Sequence, residues 1–208
     1  MKVPVAVLVS GRGSNLQALL DAAADPAYPA AITRVVSNVP GALALERAAK
    51  AGVETAVVVS KGRARESFEA ELRGAIGDAE WVCLAGFMRV LTPFFLDEFP
   101  ARVLNVHPAL LPAFPGAHGI ADTLAYGATV AGATVHFVDS GVDTGPILCQ
   151  GSVPVLETDT VESLAARVLG LEHQLYPLAL RWCVEGRVWI EGRRARVALR
   201  PGERRWLT

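Results

Sequence analysis

The chain has 208 residues, 51% of them apolar, and its 20% charged residues nearly cancel to a net charge of −1. That length suits one generous domain with an ample core, and nothing in the charge balance calls for nucleic acid or an anionic membrane. The three cysteines, Cys83, Cys149 and Cys183, are too scattered for a disulfide framework or a metal-ligand motif, so buried thiols in a reducing compartment are expected.

Val3 to Val9 reads as a strand. It is too short to span a bilayer and has no signal cleavage site, so a cytoplasmic protein is expected. Ser10-Gly11-Arg12-Gly13-Ser14-Asn15 is a tight turn, after which Leu16, Leu19, Leu20 and Ala23 repeat at helical spacing. Ser14 and Gln17 have the spacing of a capping box. A strand, a glycine-rich turn and a helix start offer backbone N–H groups and a positive dipole end to an anion. Leu16 replaces the third glycine of a dinucleotide fingerprint, and the Lys-Ser/Thr pair of a P-loop is absent. A phosphate monoester is therefore the expected anion; the plainer alternative is a βα turn whose glycines serve sterics.

Ile32 to Ser37 is a second strand, followed by a helix over about Ala42 to Ala51 with Gly52 as its C-cap. Thr55 to Val59 is a third strand. Ser60 to Arg65 is a polar turn leading into a helix with Phe68, Leu72 and Ile76, and Trp81 to Phe87 is a fourth strand. Such alternation predicts an α/β fold with a single doubly wound, mostly parallel sheet and helices on both faces. Gly86 to Leu91 is apolar for a loop. It either walls a flat aromatic ligand or packs beneath the next element, a short helix from Thr92-Pro93 to about Phe99.

Val103 to His107 is a buried strand that Pro108 stops. Asn105 and His107 lie two apart, so both side chains point to one side of the pleat. In an open parallel sheet ligands bind beyond the carboxyl ends of strands, and an amide donor beside a titratable imidazole there suits acyl transfer. The alternative is a structural Asn and a core His. Pro108 to Gly119, which includes His118, has the length of a lid or binding loop.

A helix follows at Ala121 to Tyr126, then a strand at Thr129 to Val138 with a bulge expected near Gly132. A short turn through Asp143 joins it to Ile147 to Val155, so these two strands should be antiparallel. Asp143 is either an Asx-turn residue or a partner that orients the His107 imidazole. Asp159 with Glu162 fits the N-cap of a long helix running to about Val184. Glu172 falls on or beside its apolar stripe, where a carboxylate needs a partner or water. Arg187 to Ile190 and Arg194 to Leu199 form a terminal hairpin. The expected organisation is one domain over 1–186 with a hairpin and tail at 187–208 packed on it.

Five stretches together resemble the phosphoribosylglycinamide formyltransferase family of purine biosynthesis. They are Ser10 to Gln17, Leu84 to Leu91, Asn105 to Pro112, Ala133 to Val138 with Asp143 to Pro146, and Glu172-His173. The resemblance implies a Rossmann-like formyltransferase fold and transfer of a formyl group from 10-formyltetrahydrofolate to the amine of glycinamide ribonucleotide. It implies small-molecule substrates, no metal, no nucleic acid, no membrane, and a monomer or homodimer. It assigns catalysis to Asn105, His107 and Asp143. Gly13, Ser14, Asn15 and Glu172 would hold the ribonucleotide, and Arg65, Met88, Arg89, Val90, Leu91 and Asn105 the folate. The chain departs from the family pattern at Ala109, where a serine is expected, and at Gly119-Ile120, where a polar or aromatic side chain is common. A formyl-folate hydrolase would use the same three catalytic groups and would be expected to carry an N-terminal regulatory domain, whereas the sequence here starts directly at its first strand. A tRNA formyltransferase would need a C-terminal nucleic-acid-binding domain. A non-catalytic folate- or nucleotide-binding protein would have no use for all three groups.

Overall fold

The computed structural model describes residues 1–208. They divide into two compact units, Met1–Asn105 and Val106–Thr208. The first unit runs β1 (Val3–Val9), α1 (Ser14–Ala24), β2 (Ala30–Ser37), α2 (Leu43–Lys50), β3 (Glu54–Val57), α3 (Arg65–Ile76), β4 (Trp81–Leu84), α4 (Pro93–Leu96) and the start of β5 (Val103–His107). Its strands are parallel throughout, in the order β5-β4-β1-β2-β3. Val5 to Val9 are all fully buried, as expected of a central parallel strand covered on both faces. The chain builds outward from β1 to β3 and then returns to β1's other side with β4. That reversal leaves a crevice at the carboxyl ends of β1 and β4, the place where open α/β sheets bind ligands.

Two local expectations in this unit change. The helix after β1 begins without a capping box: its N-cap is Gly13 in the left-handed region (φ 73°), with no side-chain cap. A Cβ on Gly13 would lie 2.6 Å from the Ala44 Cβ, so close approach to α2, not side-chain capping, sets that start. Strand β4 ends at Leu84 rather than Phe87, because Gly86 turns left-handed (φ 72°) and ends the extended run.

The second unit continues β5 and adds α5 (Gly119–Tyr126), β6 (Val130–Phe137), β7 (Ile147–Pro154), α6 (Val161–Val184), β8 (Val188–Glu191), β9 (Arg194–Val197) and β10 (Trp206–Leu207). β6 and β7 are antiparallel as expected, β8 and β9 form the terminal hairpin, and β10 adds to β7 in parallel. The fold class is therefore the one expected, a mostly parallel sheet with interleaved helices and antiparallel C-terminal strands. Helix α6 packs on β6 and β7, burying Leu164, Val168, Leu175, Tyr176 and Trp182. Its cap sits one residue later than predicted: Thr160 accepts from Ser163 N–H in a capping box. Asp159 is drawn away by an ion pair with Arg167.

The expected bulge at Gly132 is absent there; the register of β6 on β7 shifts instead between Val135 and His136. Gly132 is a glycine for space. A Cβ at this position would lie 2.0 Å from the Gly151 carbonyl oxygen and 2.7 Å from Leu110 Cδ2. The Gly132→Ala variant is therefore expected to lose roughly 1–3 kcal/mol of stability, the usual scale of overpacking, read as a lower urea midpoint. An unchanged midpoint would show that the two strands can separate without cost.

Candidate active site

In the first unit the turn after β1 is locked from several sides. Gly11 O accepts from Ala44 N–H (3.1 Å), and Arg12 O accepts from Arg47 Nε (2.9 Å). The first helical bond runs from Gln17 N–H to Gly13 O, so the N–H groups of residues 14–16 have no acceptor in the helix's own ladder. They lie at the positive end of α1's dipole, the kind of arrangement that attracts a phosphate. Gly13 and Asn15 are buried and Ser14 is half-buried.

A hydrogen-bonded chain, not foreseen from sequence, ties this crevice together. Ser10 Oγ donates to Asn38 Oδ1 (2.6 Å) and accepts from Met88 N–H (2.8 Å), while Asn38 Nδ2 donates to Ser60 Oγ (3.1 Å). The ends of β1 and β2, the segment after β3 and the loop after β4 are thus held in one network. Within Met88 to Leu91 the two readings of the loop separate. Met88 and Val90 are exposed, Arg89 is half-buried with its guanidinium 5.9 Å from the Phe68 ring centroid, and Leu91 is buried. The loop's far end is pinned by Glu69, a buried carboxylate that accepts from Thr92 N–H and its hydroxyl. Arg65 is exposed and opens α3 rather than lying in a turn. Asn105 is half-buried on β5, opposite Leu84 of β4.

In the second unit the chemistry gathers around Asp143. Its Oδ2 accepts from Gly116 N–H (2.8 Å) and lies 3.4 Å from His107 Nδ1; its Oδ1 lies 3.5 Å from His136 Nε2. His107 and His136 are both buried. The pairing of Asp143 with His107, which sequence alone could not establish, is therefore present. His136 is a third member that had been read only as part of a strand. The register shift places Ile147 opposite His136 and leaves Leu148 unopposed; a bulge of this kind re-aims side chains beside sites. Asp143 itself has φ 53°, a left-handed conformation uncommon outside glycine and tolerated best by Asn and Asp.

Each imidazole is fixed by a carbonyl on its other nitrogen: His107 Nε2 lies 2.8 Å from Phe114 O, and His136 Nδ1 lies 2.8 Å from Phe137 O. Carbonyl oxygens only accept, so these nitrogens carry the protons in both contacts. Burial alone would raise the Asp143 carboxyl. The hydrogen bond with His136, the Gly116 N–H and the charges of His107 and His136 outweigh burial and hold it below its ordinary value.

Thr134 and Gln150 anchor the base of the loop after β5. Thr134 Oγ1 donates to Ala109 O (2.7 Å) and accepts from Leu111 N–H, and Gln150 Nε2 donates to Leu111 O (3.0 Å). Their only advance signal was a threonine and a glutamine facing inward on apolar strands. Glu172 is buried at 6% exposure on α6, as its position on the stripe required. His118 is exposed and precedes α5.

Comparison with known proteins places the chain. The formyl transferase family profile matches residues 3–180, and the chain belongs to that family. A phosphoribosylglycinamide formyltransferase of Escherichia coli (strain K12) is 40% identical over 200 residues, covering 91% of this chain and 94% of that protein. A trifunctional purine biosynthetic protein adenosine-3 of Drosophila pseudoobscura pseudoobscura is 48% identical over 187 residues, which is 88% of this chain but 14% of that protein. Among solved structures, glycinamide ribonucleotide transformylase 1 from Symbiobacterium toebii superposes with a TM-score of 0.91 at 47% identity, covering 94% of each chain. No helix is long and apolar enough to cross a membrane.

The lowered Asp143 carboxyl has a stability consequence. Its folded value lies below the unfolded one of about 3.9, so its contribution is complete above that pH and is lost as pH falls through the folded value. Urea unfolding from neutral to acid pH should therefore fall more steeply for the wild type than for Asp143→Asn. Parallel profiles would mean that the histidines do not hold the charge.

Proposed function

We propose that the protein transfers the formyl group of 10-formyltetrahydrofolate to the primary amine of glycinamide ribonucleotide. The observation that carries the reading is the Asp143 carboxylate set between the His107 and His136 imidazoles with a backbone N–H behind it. Family membership and the resemblance of the five motifs support the same reading. Residues 1–186 would form the transferring body and 187–208 its appended hairpin and tail.

Gly13, Ser14 and Asn15 take the ribonucleotide phosphate on the backbone N–H groups of the helix start. Glu172, a buried carboxylate on α6, accepts from the sugar hydroxyls. Met88, Arg89, Val90 and Leu91 flank the folate rings, and Arg65 reaches its charged side. The neutral amine attacks the formyl carbon. A carbon–nitrogen bond forms and the carbonyl electron pair moves onto oxygen. The Asn105 amide donates to that oxyanion, where charge develops in the transition state, and protonated His107 joins it through Nε2 once that N–H turns from the Phe114 carbonyl. Asp143 stabilises the imidazolium and, through water, relays the ammonium proton to the folate nitrogen. The bond from formyl carbon to that nitrogen then breaks, releasing tetrahydrofolate and formylglycinamide ribonucleotide.

The test is turnover of 10-formyltetrahydrofolate with and without glycinamide ribonucleotide. Product that requires the ribonucleotide supports transfer. Equal rates without it would make the protein a hydrolase, and tight folate binding without turnover would make it a binding protein. His107→Ala and Asp143→Ala should each lower kcat by roughly 10²–10³ or more, the scale of losing one oxyanion donor, with an unchanged far-ultraviolet circular dichroism spectrum. Near wild-type rates would overturn the assigned roles.

A further inference from the structure

The second unit contains a cavity of about 510 Å³ whose wall includes four arginines, Arg193, Arg194, Arg196 and Arg205. It falls in the size range of small-molecule sites, roughly 300–1,000 Å³. Its charge is one-sided. Arg196 pairs with Glu191 at the surface (3.1 Å). Arg193 reaches only a backbone carbonyl, that of Thr144 (2.7 Å), and Arg205 reaches only the carbonyls of Leu148 (2.7 Å) and Ile147 (3.0 Å). Asp143 also lines the cavity, but its oxygens are taken by Gly116, His107 and His136.

Arg205 is the most informative of the four. It is half-buried, burial pulls its guanidinium below its ordinary value, and its charged neighbour Arg196 pulls the same way. A guanidinium so placed is normally matched by a carboxylate or a phosphate, and none comes from the chain. The lining also includes the apolar residues Leu111, Pro115 and Ile147. A bare ion would use the arginines and leave those side chains idle.

We propose that this cavity binds a small organic polyanion, with two or more phosphate or carboxylate charges on the arginines and an apolar body against Leu111, Pro115 and Ile147. The cavity is lined by residues of the second unit alone, and Arg194 and Arg196 have no part in the catalysis proposed above. Arginine forks suit both phosphate and carboxylate groups.

Isothermal titration calorimetry tests it on the full chain at low salt, with adenosine triphosphate, inorganic triphosphate and citrate as probes. The comparison is with an Arg194→Ala/Arg196→Ala variant, whose two side chains are exposed. Its folding is checked by thermal melting. Saturable one-to-one binding is expected for adenosine triphosphate or citrate, tighter than for inorganic triphosphate and at least tenfold weaker in the variant. Binding equal in wild type and variant would place the anion elsewhere. Inorganic triphosphate binding as tightly as both organic probes would remove the apolar part of the assignment. No binding of any probe at millimolar concentration would overturn the site outright.

Discussion

The second unit is arranged around one carboxylate. Asp143 is set between two buried imidazoles, accepts from Gly116 N–H and sits in a left-handed backbone conformation. A charge so enclosed is held by the Gly116 N–H on one oxygen and by an imidazole nitrogen facing each. The two imidazoles are in turn kept in place by carbonyl oxygens of Phe114 and Phe137. Remove the carboxylate, and two buried rings lose their common partner. The same contact joins the end of β5 to the end of β6 and the turn that follows it before β7.

That turn is strained in the manner of functional sites, and the surrounding chain compensates. Asp139 accepts from Gly141 N–H (3.1 Å) and from Thr144 Oγ1 (2.6 Å), while Arg193 holds the Thr144 carbonyl. Gly145 lets the chain pass so close to β6 that a Cβ there would lie 1.8 Å from the Phe137 carbonyl oxygen. The Phe137 N–H is bonded back to Pro146 O (3.0 Å). The turn is thus closed on both sides of Asp143. The shift that leaves Leu148 unopposed lies immediately beside it.

The parallel core was legible because β1, β2 and β5 are nearly continuous apolar runs separated by helical periodicity, a pattern set by burial on both faces. Asn105 and His107 were legible because a two-residue spacing on a strand fixes their side. His136 was not, since nothing local marks one histidine on an apolar strand as the partner of a residue beyond the next turn. Capping was misread at Ser14 and Asp159 for a common reason. Spacing offers a cap, but tertiary contacts choose it: Ala44 against Gly13 in one case, Arg167 against Asp159 in the other. The serine–asparagine network of Ser10, Asn38 and Ser60 was equally hidden, because small polar residues at strand ends look like ordinary turn residues.

The arginine-rich tail divides by partner rather than by position. Arg187 is saturated: it pairs with Glu185 and Glu203 and reaches the Ala198 carbonyl. The Arg187 guanidinium in turn holds the Glu203 carboxyl down at about 2. That cluster closes the segment after β9 back onto the end of α6, and Glu203 also accepts from Arg200 N–H (2.7 Å). Downstream, Gln150 N–H donates to Arg205 O and β10 pairs with β7, so the backbone of this segment serves the fold independently of the Arg205 side chain. Arg205 and Arg193 instead spend their donors on backbone carbonyls of the Asp143 turn and of β7. Carbonyls satisfy the hydrogen-bonding geometry of a guanidinium but leave its charge uncompensated. Arg193 therefore braces the Asp143 turn and Arg205 the start of β7, and both leave positive charge on the cavity lining.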